Sequence, residues 1–262
     1  MRNIIQAFSF QLRSPISKIS NAIESIENNI ESKNINSKHF KAGIASIDDN
    51  CKQLIRGVSN YVDITKYSLG LFELELSLVA VPQFLNNLAE ECAAQPNANN
   101  IPIKFHNKNI TCYTNFDEAK ITLAIANIIV NSCMYTKPGN HIDIYLTIEQ
   151  KAQNFIITIQ DSGIGMDETT CANATLPYFT GNSGVGNLPY TQGLGLALSK
   201  YIIELHKGSL KITSQKDVGT TVKITLPINL SQNSNQVLHS PMPQYIKNKF
   251  SIVATQFAFE VF

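Results

Sequence analysis

Apolar residues in the first part of the chain recur at steps of three and four. They fall at Ile5, Phe8, Leu12, Ile16, Ile19, Ile23, Ile26 and Ile30, then at Phe40, Ile44, Ile47, Cys51, Leu54, Val58 and Tyr61. That spacing predicts two long helices, each with a single apolar stripe. The polar link "ESKNINSK" between them is short, so they are predicted to fold back on each other as an antiparallel hairpin. A lone hairpin covers only part of each stripe, which predicts a second copy completing a four-helix bundle. An intramolecular bundle, or packing on the rest of the chain, is the alternative.

After Ser68–Gly70 the period changes. "VPQFLNNLAEECAA" and "FDEAKITLAIANIIVNSCMYT" have helical spacing, whereas "IPIKFH", "HIDIYLTI", "NFIITIQ", "SLKITSQ" and "TTVKITLPI" read as strands, several alternating with period two. Short links between neighbouring strands favour an antiparallel-rich sheet covered on one face by helices. The expected fold class is therefore α+β: a hairpin dimerisation domain over 1–68 and an α/β sandwich over 70–227. Residues 228–262 begin as an Asn/Ser/Gln/Pro-rich linker. They end in "FSIVATQFAFEVF", apolar enough for a strand, which leaves open an extra strand, a docking tail or the stump of a further domain.

Composition narrows the function. In 262 residues, 44% hydrophobic and 16% charged positions give a folded core, and 21 basic against 20 acidic residues leave a net charge of +1. Such a balance offers no field for a phosphate backbone or an anionic membrane, which argues against nucleic acid as a partner. Cys51, Cys92, Cys112, Cys133 and Cys171 are scattered, odd in number and without a Cys-x-x-Cys pair, as expected of reduced thiols in a cytoplasmic protein. No window approaches the run of apolar residues that a membrane span needs, and the segment after Met1 is too polar for a signal peptide.

Three local patterns point to a nucleotide. "IQDSGIGMD" places Asp161 at the end of an apolar strand, where its carboxylate can accept a hydrogen bond from an exocyclic amine such as that of adenine. Gly163 and Gly165 let backbone approach a flat base. "QGLGLALSKYIIELHKG" puts Gly193 and Gly195 just ahead of a helix, whose free N–H groups suit a phosphate chain. Asn127 and Asn131 share one helix face, where amide oxygens can hold a hard cation that also binds phosphate. The apolar neighbours of these two asparagines make a merely solvated face a poorer explanation.

The order and spacing of these pieces resemble the catalytic core of bacterial sensor histidine kinases over residues from about 2 to 227. The resemblance implies ATP and Mg²⁺ as cofactors, with Asn131 on the metal and Asn127 in support. It implies Asp161 at the adenine amine, with Gly163, Gly165, Thr220 or Thr221 nearby and Tyr135 packed on the base. Phe179 in "LPYFTG" matches the F box, and Gly193, Leu194, Gly195 and Leu196 match the second glycine box. The stretch from about Leu176 to Gln192 would be the ATP lid. Two departures stand out. Met134 occupies a position where relatives carry a phosphate-reaching Lys or Arg, with Lys137 as the candidate substitute, and Thr191 replaces a glycine. Leu123, where gyrase- and chaperone-type relatives have a water-activating glutamate, argues against vigorous ATP hydrolysis.

The first helix carries "FSFQLRSPIS" where the family has its phosphoacceptor motif. Ser9, Leu12, Arg13 and Pro15 fix the register, which puts Phe10 at the position of the phosphorylated histidine and Gln11 at that of its acidic helper. Phenylalanine has no lone pair with which to attack a phosphoryl group, and glutamine is no base at neutral pH. His39 lies some twenty residues away along the hairpin, about 30 Å, too far for a swap. His106, His141, His206 and His239 read as ordinary packed or solvated histidines. Phe10 is about 200° round the helix from the stripe and is expected to face solvent. Ser14 matches a position tied in the family to response-regulator dephosphorylation.

The expected function is a histidine-kinase-like two-component signalling protein that binds Mg-ATP but cannot phosphorylate itself. It would work as a homodimer, or as a heterodimer with a sensor kinase whose histidine it phosphorylates in trans, or act on the receiver domain of a response regulator. The alternatives are a non-catalytic ATP-binding interaction module and a truncated remnant of a hybrid kinase.

Overall fold

The structure is a computed structural model that describes residues 2–31, 37–98, 101–106, 108–180, 193–230 and 251–258, with the side chains of 2–11, 28, 29, 31 and 37–39 excepted. Helices α1 (Arg2–Glu31) and α2 (Ser37–Ser68) form the hairpin that the apolar spacing predicts. Their register brings Gly43 against Ile26: a Cβ on the glycine would lie 2.9 Å from the Ile26 side chain, so a larger residue there requires that side chain to shift. Within one chain the stripe is incompletely covered. Ile16, Ile23 and Ile30 remain 53%, 43% and 52% exposed.

The second part is a two-layer α/β sandwich. Strands β2 (Ile103–His106), β4 (Ile142–Glu149), β5 (Asn154–Asp161), β7 (Gly219–Pro227) and β6 (Ser209–Gln215) form one sheet in the order β2-β4-β5-β7-β6. The β2–β4 pair is parallel and the other three are antiparallel. A second small sheet pairs β1 (Ser77–Ala80) with β3 (Tyr113–Phe116). Helices α3 (Val81–Ala93), α4 (Glu118–Tyr135) and α6 (Gly195–Leu205) complete the sandwich, and α5 (Glu168–Asn173) is a short element after β5.

Helix α4 is the centre of the core. Ile121, Ile125, Ile128 and Ile129 are fully buried, as are Ile142, Ile144, Ile157 and Ile159 of the sheet. Each such side chain contributes about 1.5–3 kcal/mol of apolar burial. Asp117 starts α4 by accepting from Lys120 N at 3.0 Å, and its own N–H donates to His206 Nε2 at 3.0 Å, joining the start of α4 to the end of α6. His206 is thus a packed histidine with a structural hydrogen bond.

The apolar tail, open to a strand reading in the sequence, is the short helix α7 (Ile252–Gln256). Val253 and Phe257 are four apart and both buried, a helical spacing. Ser251 caps the helix by accepting from Ala254 N and donates to Glu91 Oε1 at 2.8 Å, while Asn97 Nδ2 donates to the Phe257 carbonyl at 2.8 Å. The segment packs against α2, α3 and α4.

The hairpin and the sandwich also meet directly. Tyr67 of α2 stacks on Tyr201 of α6 with centroids 4.0 Å apart, and Lys120 pairs with Asp63 at 3.2 Å. All five cysteines are free thiols. Among the described residues no helix is long and apolar enough to cross a membrane.

Candidate functional site

Asp161 closes β5, whose register sets it opposite Ile142 of β4 and Thr220 of β7. Three donors hold its carboxylate: Ser132 Oγ reaches Oδ2 at 2.8 Å, and the amides of Gly163 and Thr220 reach Oδ1 at 3.0 and 3.1 Å. Burial raises the carboxyl above its ordinary pKa, and the three donors oppose that rise. The result is an oriented acceptor at the wall of a pocket. Tight backbone turns around it need glycine. Gly165 has φ +62° and Gly219 φ +139°, and a Cβ on either would lie 1.9 Å from Gln215 O or 2.1 Å from Asp161 O.

The pocket is lined by Asn131, Ser132 and Tyr135 of α4, by Asp161, Gly165 and Thr220, and by Phe179, Gly193, Gly195 and Leu196. Ile128, Ile164, Met166, Ala174, Ile212 and Val222 add apolar wall. Apolar walls with one oriented carboxylate are the make-up of a slot that can take a flat ring bearing an amine. Gly195 opens α6. The first amides of that helix have no acceptor within it and favour an anion. Phe179 and Gly193 are joined through their neighbours, since Tyr178 N donates to Gly193 O at 2.9 Å.

Asn127 sits behind the pocket wall, 1% exposed. Both Oδ1 and Nδ2 are buried without a hydrogen-bond partner, and the carboxamide faces Gly195, whose added Cβ would lie 3.3 Å from Oδ1. Orphaned amide atoms at such burial cost free energy unless a missing group satisfies them. With Asn131 one turn on, they supply the oxygen donors that suit Mg²⁺ bound to phosphate, so the residues fit that ion. Among the described residues no group of three His, Cys, Asp or Glu side chains could hold a metal by itself.

Other expected residues are not among those that line the cleft. Lys137 is exposed and does not line it: α4 ends at Tyr135, Thr136 is already extended, and the chain leaves the helix before the lysine. Thr220 and Val222 line the pocket, so Thr221 between them faces the opposite side of β7. Gly163 packs against the Tyr135 carbonyl outside the lining, and Leu194 is a buried residue preceding α6. Met134 packs on the core, and buried Leu123 belongs to it. Ser14 lies in α1, and Phe10 and Gln11 lie in the same helix with side chains outside the described residues. Residues 181–192, most of the expected lid and Thr191 with it, also lie outside them.

Two lining residues carry no local signal in the sequence. Ser132 reads as one more small residue of α4, yet it orients the carboxylate. Arg56 comes from α2, in the hairpin, and is the one basic side chain among the lining residues.

Residues 116–230 match the family of histidine kinase-, DNA gyrase B- and HSP90-like ATPases. The chain is 25% identical over 228 residues to the sensor protein KdpD of Clostridium acetobutylicum, covering 87% of this chain and 25% of that protein. It is 27% identical over 180 residues to the sensor histidine kinase YvrG of Bacillus subtilis, covering 66% and 30% respectively. It thus spans less than a third of the length of either relative. Among solved structures, the Acinetobacter baumannii histidine kinase AdeS superposes with a TM-score of 0.62 at 17% identity, over 84% of this chain and 98% of that one. ThkA, solved in complex with the response regulator protein TrrA, gives 0.61 at 18% identity over 87% and 61%. A helical hairpin joined to a domain of this ATPase family, with kinase relatives along both parts, supports a sensor histidine kinase catalytic core.

Proposed function

We propose that this core binds Mg-ATP and serves two-component signalling without phosphorylating itself. The observation that carries the nucleotide reading is the Asp161 carboxylate, held by Ser132, Gly163 and Thr220 at the wall of an apolar slot. Asn131 and the orphaned Asn127 amide support the metal, which when bound would neutralise phosphate charge and orient the terminal phosphoryl group.

Phe10 at the family's phosphoacceptor position supplies no nucleophile. The phosphoryl group therefore goes to a histidine on a partner kinase, in a heterodimer built through the hairpin. Action on a response-regulator receiver domain through Ser14 is the other route. One observation favours a silent ATP-binding module instead: neither Met134 nor exposed Lys137 offers the phosphate-binding cation that the resemblance leads one to expect.

The test is Mg²⁺-dependent binding of a non-hydrolysable ATP analogue to the purified chain, with Asp161→Asn as control. This is followed by transfer of labelled phosphate from ATP to kinases whose own ATP site is disabled. Binding abolished in Asp161→Asn together with a labelled partner histidine supports the kinase reading. Binding without transfer to any partner supports the silent module, and no binding by a folded chain removes both.

A further inference from the structure

The nucleotide slot contains one acidic side chain, Asp161, and one basic side chain, Arg56, and the two come from different domains. Arg56 projects from α2. Its Nη1 donates to the Gln256 carbonyl at the end of α7, at 3.0 Å. Among the described residues that neutral oxygen is its only hydrogen-bond partner, and no carboxylate pairs with it. A guanidinium has five N–H donors and no acceptor, so most of its capacity is unused in a partly desolvated place. Burial depresses its pKa from the usual range to about 10, the sign of a cation short of negative charge.

We propose that Arg56 of the hairpin is the cation that binds the phosphate chain of the nucleotide held by the ATPase domain. The inference rests on the ATP reading above. The positions from which the resemblance would draw such a cation do not deliver one, because Met134 is apolar and packed on the core and Lys137 is exposed outside the lining. A guanidinium can grip two phosphate oxygens at once, which an ammonium does not. Bound nucleotide would then join the two domains, with Asp161 of β5 on the base and Arg56 of α2 on the phosphates.

The hairpin register gives this contact a place. Gly43 meets Ile26, so position 10, sixteen residues along α1, is level with Ser59, sixteen along α2. Ser59 is three residues from Arg56, about 4.5 Å along the axis. The phosphate end of a nucleotide gripped by Arg56 therefore lies at the height on the bundle where the family motif has its phosphoacceptor and this chain has Phe10.

The experiment compares binding of AMP-PNP with Mg²⁺ and of adenosine to the full chain, as wild type, Arg56→Met, Arg56→Lys and Val253→Asp. Arg56→Met should weaken AMP-PNP by about ten- to hundredfold, the range for losing a hydrogen-bonded charge, and leave adenosine within about twofold. Arg56→Lys should fall between. Val253→Asp undocks the tail and should not reproduce the loss. Equal weakening of both ligands by Arg56→Met, no weakening of either, or the same selective loss in Val253→Asp would each overturn the proposal. Failure of the wild type to bind even adenosine would overturn the ATP reading as well. A measurement on the unaltered chain guards against misfolded variants. The sequence has three arginines, Arg2, Arg13 and Arg56. AMP-PNP should shield Arg56 from phenylglyoxal where adenosine does not, and equal labelling with the two ligands would count against the contact.

Discussion

Ser132 donates its hydroxyl to Asp161 Oδ2 at 2.8 Å, tying the last turn of α4 to the end of β5. The carboxylate is thereby fixed in rotation, because Oδ1 already takes the amides of Gly163 and Thr220. Ser132→Ala removes the only side-chain donor among the three and lets burial raise the carboxyl further. Affinity for an ATP analogue should fall by roughly ten- to hundredfold, as for one hydrogen bond to a charged group, with the fold intact. Titration calorimetry on the variant checks this, and unchanged affinity would mean that Oδ2 is not set by Ser132.

His206 predicts how stability depends on pH. Its Nε2 accepts from Asp117 N–H, which requires the neutral ring, and burial lowers its pKa below 6.5 although the Ile202 carbonyl and Asp117 oppose the shift. The unfolded chain therefore binds this proton first. The histidine's contribution is fully present above the unfolded pKa and is lost as pH falls from about 6.5 toward the folded value. Thermal unfolding should show a lower Tm at about pH 5 than at about pH 7.5, and His206→Gln, which keeps an acceptor, should narrow that difference. An identical pH response in the variant would assign the effect to other groups.

Most of the elements that spacing made legible are long enough to repeat a period. Helices α1, α2, α3, α4 and α6 and strands β2, β4, β5, β6 and β7 overlap the stretches read from the sequence. β1, β3 and α5 are not legible in this way. β2 is as short as β1 and β3 but sits in the alternating apolar stretch "IPIKFH", whereas β1 and β3 have no such pattern and their pairing depends on partners distant in sequence. α5 has six residues, too few to repeat a helical period. The tail was ambiguous for a related reason: Ser251, Val253 and Phe257 spell a capped helical turn, but the surrounding apolar residues also suit a strand. At the site, glycines, the terminal aspartate and the asparagine pair announced the pocket because their chemistry is local. Arg56 could not be read that way, since its place in the lining depends on how the hairpin docks, and Lys137 lies outside the lining because the helix stops at Tyr135.

Gly219, like Gly165, is a tightly constrained backbone position at the site. Its φ of +139° is disfavoured for any side chain, and an added Cβ would press on the Asp161 carbonyl from 2.1 Å. Gly219→Ala should cost about 2–4 kcal/mol of stability, strain and overpacking together, and should displace the Thr220 amide from Asp161. Urea denaturation measures the first effect and nucleotide affinity the second. A variant as stable as the wild type would show that the β6–β7 turn can relax without harm to the sheet.

The hairpin's uncovered face predicts self-association. Ile16, Ile23 and Ile30 repeat every seven residues at 53%, 43% and 52% exposure, and Ile44, Ile55, Val58 and Val62 of α2 are 48%, 43%, 43% and 41% exposed. A row of aliphatic side chains at heptad spacing is the seam of a helical bundle, and each one covered contributes about 1.5–3 kcal/mol. Light scattering should report twice the chain mass at micromolar concentration. Ile23→Glu with Val58→Glu places buried charges in the seam and should raise the dissociation constant by at least about a hundredfold. On the proposed trans reading a heterodimer with a second kinase would use the same seam, so the double variant should also lose transfer of phosphate to that partner while its ATP affinity stays within about twofold. Transfer that survives in the monomeric double variant would separate phosphorylation in trans from the bundle.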